Sequence, residues 1–382
     1  MKILHLFSNY KWTGPAEPAV NLAAELKARG HDVLFASADA PACPDNPRIN
    51  QHAAERGLAV VPGLLLDKHL HPLHAARDVR TLRGLLAEMR PQIVHTHMRN
   101  DHFIAALAVR AMPERPRIVR TFYDGRWSAW NLRESWLLRN HCDHAIFCSQ
   151  GVRDAAMQRC DEPERHSTVI AGAVDLRRFD PERSLPDLRS RLNLTAADYV
   201  VGIVARVQLH RRFRVLIEAS VIAMRALPDF RLVIIGRGTD FDRILRQPAR
   251  RAGIDRIARF PGYLTGDDYA GCLHALDAKV FLVPGSDGSC RAVREAMAMG
   301  LPVITADRGM LPEIVRDGVT GTIIRDTPES LAKAIIELHD PVLRARMAAA
   351  ARDRAREEFD LRRQAGQVER IYERLLEQGS IP

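Results

Sequence analysis

Residues 280–305 read VFLVPGSDGSCRAVREAMAMGLPVIT and carry the local pattern that decides the fold. An apolar run at 280–283 ends at Pro284, and a loop of small residues leads into a helical pattern containing Glu295. A second apolar run follows at 303–305. Short apolar runs joined by a turn and a helix are typical of βαβ units, in which the strands are parallel. The stretch therefore predicts an α/β fold with a parallel sheet.

The same alternation extends along the chain and stops once, in a polar segment with Pro181 and Pro186. We therefore predict two doubly wound α/β domains: residues 1–182, a linker at 183–197, and residues 198–360. From residue 341 onward the pattern is one long amphipathic helix, and we expect 361–382 to form a C-terminal helix. This helix either packs back across the first domain or ends the second. The apolar runs fall at 3–7, 33–37, 93–95, 118–121, 145–148, 169–171, 200–204, 232–236, 258–260, 280–283, 303–305 and 322–324.

Composition narrows the classes of protein to consider. The 382 residues are 46% hydrophobic and 27% charged, which is typical of a folded globular protein. The formal net charge of +9 predicts attraction to anions such as phosphates, nucleic acid or an acidic lipid surface. None of the six cysteines forms a CxxC pair, so we expect reduced thiols rather than a zinc site.

The sequence also bears on location. The apolar run at 3–7 is interrupted by His5 and is too short for a secretory signal. No stretch approaches the roughly 20 apolar residues that cross a bilayer. We expect a cytoplasmic protein whose contact with the inner face of the membrane, where it occurs, is peripheral.

Loops that follow the strands are the expected ligand sites of such sheets. Gly14 precedes a helix start, where backbone NH groups can approach an anion. Arg206 and Arg211 lie in one loop, and two guanidinium groups at a strand end suit a diphosphate. An ordinary turn at Gly14 and a solvated basic loop are the competing interpretations.

The opening stretch contributes two carboxylates and a helix start. Glu295 lies among apolar residues, where solvation does not explain a charge, and could accept from vicinal hydroxyls such as those of a ribose. Asp287 would face whatever lies beyond the phosphates. The backbone NH groups of 288–291 would point toward the same ligand.

Other patterns are less specific. Asp240 and Asp242 form a DxD, which some metal-dependent transferases use, but here it starts a helix. His95, His97 and His102 lack a recognisable metal spacing, although His97 and His102 could line a cleft. No Walker A sequence is present, and we predict no metal and no cofactor.

Several motifs together resemble the family 4 retaining glycosyltransferases. In the second half these are RVQLHRR, RLVIIGRG, PGSDG to EAMAMGLPVIT, and MLPEIVRDGVTG; in the first half TGPAEPAVNLAAELKARGHDV, IVHTHMRND, IVRTF and VIAGAVDLRRF. The resemblance covers most of the chain. It implies the GT-B fold, with two facing Rossmann-like doubly wound domains. It also implies metal-independent transfer of a sugar from a nucleoside diphosphate sugar, with retained anomeric configuration.

The resemblance also assigns residues. Arg206 and Arg211 would hold the diphosphate, with Arg211 at the family's usual lysine position, and Glu295 would hold the ribose. The base would contact Gly262, Tyr263 and Leu264. The donor sugar would contact Asp287 and the NH groups of Gly288, Ser289, Cys290 and Arg291, with Gly14 as a further donor-binding position.

Departures from the family pattern concern the reacting centre. Asp287 stands where the family usually has a glutamate, Pro15 replaces the second glycine of the first loop, and Tyr123 replaces the usual active-site histidine. Tyr123, Asp124 or His97 could substitute for that histidine. We therefore count Tyr123 and His97, together with Arg206, Arg211 and Asp287, as candidate catalytic residues.

The acceptor is predicted only by class. Residues 124–140, DGRWSAWNLRESWLLRN, interleave three tryptophans with three arginines, so the segment could contact anionic lipid or grip a lipid-linked glycan. Core packing is the alternative for aromatic residues at helical spacing. We expect a glycan or lipid-linked acceptor, in assembly of cell-surface polysaccharide or lipopolysaccharide.

Three rival functions remain. A nucleotide-sugar-binding paralogue with weak or no activity, acting as a partner protein, is compatible with the changes at Tyr123 and Asp287. A nucleotide-sugar epimerase would need an acid and base pair beside the donor, which the sequence lacks. Nucleic-acid binding would need a basic stripe with stacking aromatics, found only at 126–139, so no nucleic-acid partner is predicted.

Overall fold

The computed structural model describes residues 1–39, 48–110, 112–123, 132–160, 166–283 and 290–378. They form two compact units. The first contains Met1–Ala173 and the chain from Leu361 onward, and the second contains the described residues between Val174 and Asp360. Each unit has a parallel sheet with alternating helices, which confirms the predicted α/β fold class.

The first unit has a seven-stranded sheet with the order β3-β2-β1-β4-β5-β6-β7. Its strands are β1 (Lys2–Phe7), β2 (Asp32–Ser37), β3 (Ala59–Val60), β4 (Ile93–Thr96), β5 (Arg117–Phe122), β6 (His144–Phe147) and β7 (Ser167–Val169). Its helices before residue 174 are α1 (Ala16–Ala28), α2 (Ile49–Glu55), α3 (Pro72–Met89), α4 (Arg99–Val109), α5 (Leu132–His141) and α6 (Gln150–Cys160).

Strand β1 shows why these apolar runs form a sheet covered on both faces. Ile3 and Phe7 belong to one buried cluster, whereas Leu4 and Leu6 belong to another. Successive strand residues point to opposite faces, so a run without polar interruption buries both. His5 is the exception within this run and is fully buried.

The second unit has a six-stranded sheet with the order β10-β9-β8-β11-β12-β13. Its strands are β8 (Tyr199–Val204), β9 (Phe230–Ile235), β10 (Ala258–Gly262), β11 (Ala278–Phe281), β12 (Val303–Ala306) and β13 (Gly321–Ile324). Its helices are α7 (Leu188–Arg191), α8 (Phe213–Ala226), α9 (Gln247–Arg251), α10 (Gly266–His274), α11 (Arg291–Ala298), α12 (Leu311–Ile314), α13 (Pro328–Glu337) and α14 (Pro341–Glu358).

The long C-terminal helical pattern is divided in two. Helix α14 belongs to the second unit, and α15 (Leu361–Glu377) returns to the first, where Glu369 bonds Arg29 and His31 of the segment after α1. The helical pattern from residue 341 onward is therefore interrupted, and α15 begins at Leu361, where the C-terminal helix was predicted. The chain leaves helical geometry at Phe359, and Asp360 pairs with Val174 in an isolated bridge.

The segment between the sheets is folded onto the second unit. Arg183 contacts Asp267, and Arg189 of α7 bonds Asp277 at 2.8 Å. Residues 174–182, which the sequence division puts in the first domain, also group with the second unit, since the Val174 amide donates to the Phe359 carbonyl. These contacts give residues 183–197, the predicted linker, a packed conformation.

No helix among the described residues is both long and apolar enough to cross a membrane.

Candidate functional site

Each sheet reverses its strand order at one place, between β1 and β4 in the first unit and between β8 and β11 in the second. In doubly wound sheets ligands bind beyond the carboxyl ends of the strands at this switch point. Most of the predicted site residues in the described chain follow these four strands or their neighbours. Gly14 follows β1, His97 follows β4, Arg206 and Arg211 follow β8, and Cys290 follows β11.

In the first unit, Tyr123 and His97 are joined in a buried hydrogen-bonded chain. The Tyr123 hydroxyl lies 2.8 Å from His97 Nδ1, and His97 Nε2 lies 3.0 Å from His5 Nδ1. His5 Nε2, at the inner end, has no hydrogen-bond partner among the described residues. The structure thus brings together the two predicted residues and adds His5, which the sequence reasoning missed.

Burial keeps this chain uncharged near neutral pH. It lowers the pKa of His97 well below its ordinary value, an effect that the neighbouring His95, His5 and Arg120 reinforce. Burial also raises the pKa of Tyr123 well above its ordinary value, with Cys148 and Asp101 adding to the shift. Tyr123 and His97 can therefore accept or donate hydrogen bonds, but neither carries a charge near pH 7.

The nitrogens of His5, His95 and His97 lie within 4.8 Å of one another, close enough to consider a metal ion. The rings, however, are stacked nearly parallel, at 12° for His95 and His97 and 16° for His5 and His97. Lone pairs lie in the ring planes, so parallel rings do not aim three of them at one point 2.0–2.1 Å away, as zinc requires. His95 instead bonds Tyr372 at 2.5 Å and Thr121 at 2.7 Å.

A cleft of about 380 Å³ opens in the first unit beside the hydrogen-bonded residues Tyr123 and His97. His97 and Tyr123 line it, as does Pro15, which follows the predicted Gly14. Its charged walls include Lys68, Arg99, Arg120 and Glu134. The sequence reasoning missed Arg120 and Glu134, although a lone arginine inside the apolar run IVRTF signals a buried charge.

In the second unit, Arg211 spans the switch point. It ends a short 3-10 turn, Leu209–Arg211, and its guanidinium donates to the Val283 carbonyl at 2.9 Å, just beyond β11. Arg206, two residues after β8, is exposed. A guanidinium held across two strand ends and a second one free to approach them suit an anionic ligand.

Glu295 is buried on α11 and has specific partners. The Tyr269 hydroxyl donates to Glu295 Oε2 at 2.7 Å, and Arg291 Nε lies 3.0 Å from Glu295 Oε1. Only 2% of Glu295 is exposed, so these groups and the nearby Lys279 compensate a charge that water does not reach. The structure therefore places the predicted ribose-binding carboxylate in a polar pocket, with Tyr269 as a partner that the sequence reasoning missed.

Lys279 of β11 is a second buried charge near α11. Its ammonium group donates to the Ala292 carbonyl in the first turn of that helix. Burial lowers the pKa of Lys279 to about 8, and attraction to Glu295 opposes the shift. A lysine within the run AKVFLV was the sequence signal for this group.

Cys290 begins α11 in an unusual conformation. Its φ is 48°, in the left-handed region that glycine adopts easily, and its side chain is fully buried. Residues 284–289 lie outside the described residues, including the predicted Asp287, Gly288 and Ser289. Of the loop that we expect to contact the donor sugar, the structure thus describes Cys290 and Arg291.

The predicted base-binding segment ends β10. Gly262 has a φ of 81°, and its carbonyl accepts from the Gly236 amide at 2.8 Å. Tyr263 follows with 56% of its surface exposed, and the Arg237 guanidinium lies 4.4 Å from its ring centre. Leu264 is half-buried. An exposed aromatic ring beside an arginine is a surface on which a planar base can stack.

The DxD carboxylates are exposed and pair with arginines one turn away, Asp240 with Arg243 and Asp242 with Arg246, each at 3.1 Å. They start a helical segment, as predicted.

Two parallel, doubly wound sheets with polar strand ends define the class of two-domain α/β proteins. Residues 14–178 match the sequence model of Glycosyltransferase Family 4, and residues 186–354 match that of Glycosyl transferases group 1. Little more than the two ends of the chain and the short segment between the matches is left out. The chain belongs to this family, and it is a glycosyltransferase with the GT-B fold.

Three similar proteins illustrate the family. The glycogen synthase of Mycobacterium tuberculosis (strain ATCC 25618 / H37Rv) is 29% identical, with 92% of this chain and 89% of that protein covered. The lipopolysaccharide core biosynthesis mannosyltransferase LpsB of Rhizobium meliloti (strain 1021) is 28% identical, with 76% and 81% covered. The structure of Anabaena HepE in complex with UDP-glucose is 21% identical, with a TM-score of 0.78 and 97% and 99% covered.

Proposed function

We propose that this glycosyltransferase moves a hexosyl group from a nucleoside diphosphate sugar to a glycan or lipid-linked acceptor, with retained anomeric configuration and without a metal. The observation that carries the proposal is Glu295, a buried carboxylate held by Tyr269 and Arg291 on the helix that follows the second unit's switch point. A buried charge with dedicated partners at a ligand-binding edge is a candidate for recognition rather than for stability.

The donor would bind through three groups of the second unit. Arg206 and Arg211 would pair with the diphosphate, Glu295 would accept from the ribose hydroxyls, and Tyr263 would stack on the base. Hydrogen bonds to charged groups contribute about 1.5–3 kcal/mol each, so these contacts can supply most of the affinity for a nucleotide. HepE binds UDP-glucose, which makes UDP the first nucleotide to test.

The chemistry would be mainly electrostatic. As the bond from the anomeric carbon to the diphosphate oxygen breaks, Arg206 and Arg211 would stabilise the charge that develops on the departing oxygen. The acceptor oxygen would bond to the anomeric carbon from the same face, and its proton would pass to the departing diphosphate. Retention and metal independence rest on the family resemblance, and the anomeric signals of the product test the former.

Tyr123 would contribute as a neutral hydrogen-bonding group. Its hydroxyl contacts His97 at the wall of the cleft, and its raised pKa keeps it protonated, so it would orient a sugar hydroxyl rather than remove a proton. Asp287 and the NH groups of residues 288–291 would hold the donor sugar. The shorter side chain of Asp287, compared with the family's glutamate, makes the donor sugar a point to determine directly.

The acceptor would belong to cell-surface polysaccharide or lipopolysaccharide assembly, as the name of LpsB suggests for that relative. Peripheral contact with an anionic inner membrane face would involve the segment 124–140. Residues 124–131 lie outside the described residues. In the described part, Leu132 is 82% exposed and Trp136 packs on His141. Flotation with anionic vesicles tests this contact, and absence of binding would remove it.

Thermal unfolding in the presence of a panel of nucleotides and nucleotide sugars tests the donor assignment. We expect at least one nucleoside diphosphate to raise the midpoint, and Glu295→Ala to abolish that rise. A flat panel would contradict the proposal. A rise that Glu295→Ala leaves unchanged would remove the ribose assignment alone.

A second candidate is a paralogue that binds the donor without transferring it. It is favoured by Tyr123 at the position where the family usually has a histidine, with the hydroxyl already bonded to His97. Release of free sugar from the donor that raises the midpoint distinguishes the two functions. Binding without any hydrolysis or transfer would support the paralogue.

A further inference from the structure

The cleft of the first unit has an unusual charge arrangement, which bears on the acceptor. It lies beyond the carboxyl ends of β4 and β5 and has a volume of about 380 Å³. Arg120, the last arginine of β5, lines it together with Lys68 and Arg99. Glu134 of α5 is the carboxylate among its lining residues.

Arg120 is buried without adequate compensation. Only 5% of its side chain is exposed. Among the described residues the guanidinium donates one hydrogen bond, to the Met98 carbonyl, and it contacts the face of Phe122. Glu134 Oε2 lies 3.9 Å from Arg120 Nη2, which is too far for a hydrogen bond. Arg120 Nε has no hydrogen-bond partner among the described residues. A buried charge in this state is costly unless a further anion pairs with it.

The neighbouring carboxylates compensate the charge of Arg120 only in part. Glu134 is shared with Arg99, whose Nε lies 3.7 Å from Glu134 Oε1, and Lys68 adds an exposed positive charge at the cleft. Asp101 lies behind the cleft and accepts from the backbone of Ser8 and Met98. Burial raises its pKa to about 7, so near neutral pH it is only partly ionised.

We propose that this cleft binds an anionic group of the acceptor, a phosphate or a carboxylate, through Arg120 and Lys68. The inference rests on the proposed transfer function and specifies its acceptor: the substrate is acidic, and its charged group complements the positive walls of the cleft. Tyr123, on the same cleft, would then face the part of the acceptor that carries the reacting hydroxyl.

Calorimetric titration with inorganic phosphate tests the proposal, with UDP at saturation so that the donor site is occupied. Exposed charges contribute up to about 1 kcal/mol, so we expect Lys68→Met to weaken phosphate binding by about fivefold. Arg120→Met should weaken it further. Lys2→Met is the matched control, since Lys2 begins β1 at the opposite edge of the sheet and pairs with Asp32.

Acetate and methyl glucoside separate the chemical sources of binding. If acetate competes with phosphate, the cleft is a general anion site. Methyl glucoside, which is neutral, should not compete with phosphate. Phosphate binding that Lys68→Met leaves unchanged would overturn the proposal, even where Arg120→Met fails to fold. If UDP does not bind, the transfer function fails instead, and the phosphate titration is repeated on Arg211→Met, which removes the donor-side anion site.

Discussion

The two sheets have the same strand order around the switch point but carry different side chains there. In the first unit the switch point is bordered by buried neutral imidazoles, His5 and His97, and by the protonated Tyr123 hydroxyl. In the second it is bordered by Arg211 and by Glu295. The comparison shows that the fold provides only the location of a site, since neutral His97 and Tyr123 lie beside charged Arg120 at the strand ends of the first unit, whereas Arg211 and Glu295 lie at those of the second.

This difference corresponds to the two tasks in a sugar transfer, which are donor binding and acceptor orientation. Under the proposed function, the positive charge and the carboxylate of the second unit would bind the diphosphate and the ribose of the donor. Neutral His97 and Tyr123 would orient the acceptor hydroxyl in a place where no strong base competes.

The largest effect should come from the buried carboxylate of the second unit. Glu295→Gln keeps the shape but leaves Arg291 and Lys279 without their anion, so we expect a loss of about 3–5 kcal/mol in the free energy of unfolding. Urea unfolding followed by circular dichroism measures it. Glu218→Gln is the control, because Glu218 pairs with Arg214 at the surface and should cost little. Equal effects in both variants would contradict the assigned role of burial.

Acid should destabilise the first unit. Burial lowers the pKa of His5 and His102 to about 3 and of His144 to about 4, and it lowers those of His95 and His97 well below the ordinary value. Below about pH 6.5 the unfolded chain therefore binds more protons than the folded one, so stability decreases as the pH is lowered. Asp101, with a pKa raised to about 7, has the opposite sign and offsets one histidine.

We expect the free energy of unfolding of the first unit to decrease between pH 6.5 and 5, by about 1.4 kcal/mol per pH unit for each proton that the unfolded chain binds in excess of the folded one. All four tryptophans, at positions 12, 127, 130 and 136, belong to the first half of the sequence. Urea unfolding followed by tryptophan fluorescence at the two pH values thus reports on this unit. A midpoint that does not move would show that the imidazoles are not buried as described.

Alkali should stabilise the second unit, whereas acid destabilises the first. The pKa of Lys279 is lowered to about 8, so between pH 8 and about 10.4 the unfolded chain binds the extra proton and stability rises with pH. Lys279→Met lacks this term. The difference in unfolding free energy between wild type and variant should shift in favour of wild type by about 1–2 kcal/mol from pH 8 to 10. A constant difference would contradict a buried, weakly basic Lys279.

The smallest effect on stability should come from Tyr123→Phe, which removes one hydrogen bond to His97. We expect about 1 kcal/mol. The affinity for UDP should stay unchanged, because Tyr123 belongs to the other unit, while the rate of transfer should fall. Calorimetry with UDP and a product assay measure the two quantities. Loss of UDP affinity would contradict the assignment of nucleotide binding to the second unit alone.

Most of the fold could be predicted from the sequence because central strands such as β4 and β11 are short apolar runs buried on both faces. Strand β3, Ala59–Val60, escaped notice because two residues at a sheet edge leave no periodic signal. The strand predicted at 169–171 lies at Ser167–Val169, because so short an apolar run does not fix where the strand begins and ends. The break at Phe359 depends on pairing with Val174, far away in the sequence.

Site residues could be predicted where both the residue type and its position after a strand indicate a ligand contact, as for Arg211 and Glu295. His5, Arg120, Lys279 and Tyr269 were missed because their roles depend on partners distant in the chain. His5 and His97 are 92 residues apart, and Tyr269 and Glu295 are 26 apart. The sequence shows only that a polar residue interrupts an apolar run, which signals burial without naming the partner.

The most direct test of the account is calorimetric titration of UDP into wild type and Arg211→Met, with Arg243→Met as a control from the exposed helical segment after β9. We predict that wild type binds UDP, that Arg211→Met binds it at least about tenfold more weakly, and that Arg243→Met binds it as wild type does. Equal affinities in all three proteins, or no binding by wild type, would contradict the claim that the second unit's charged strand ends hold the nucleotide.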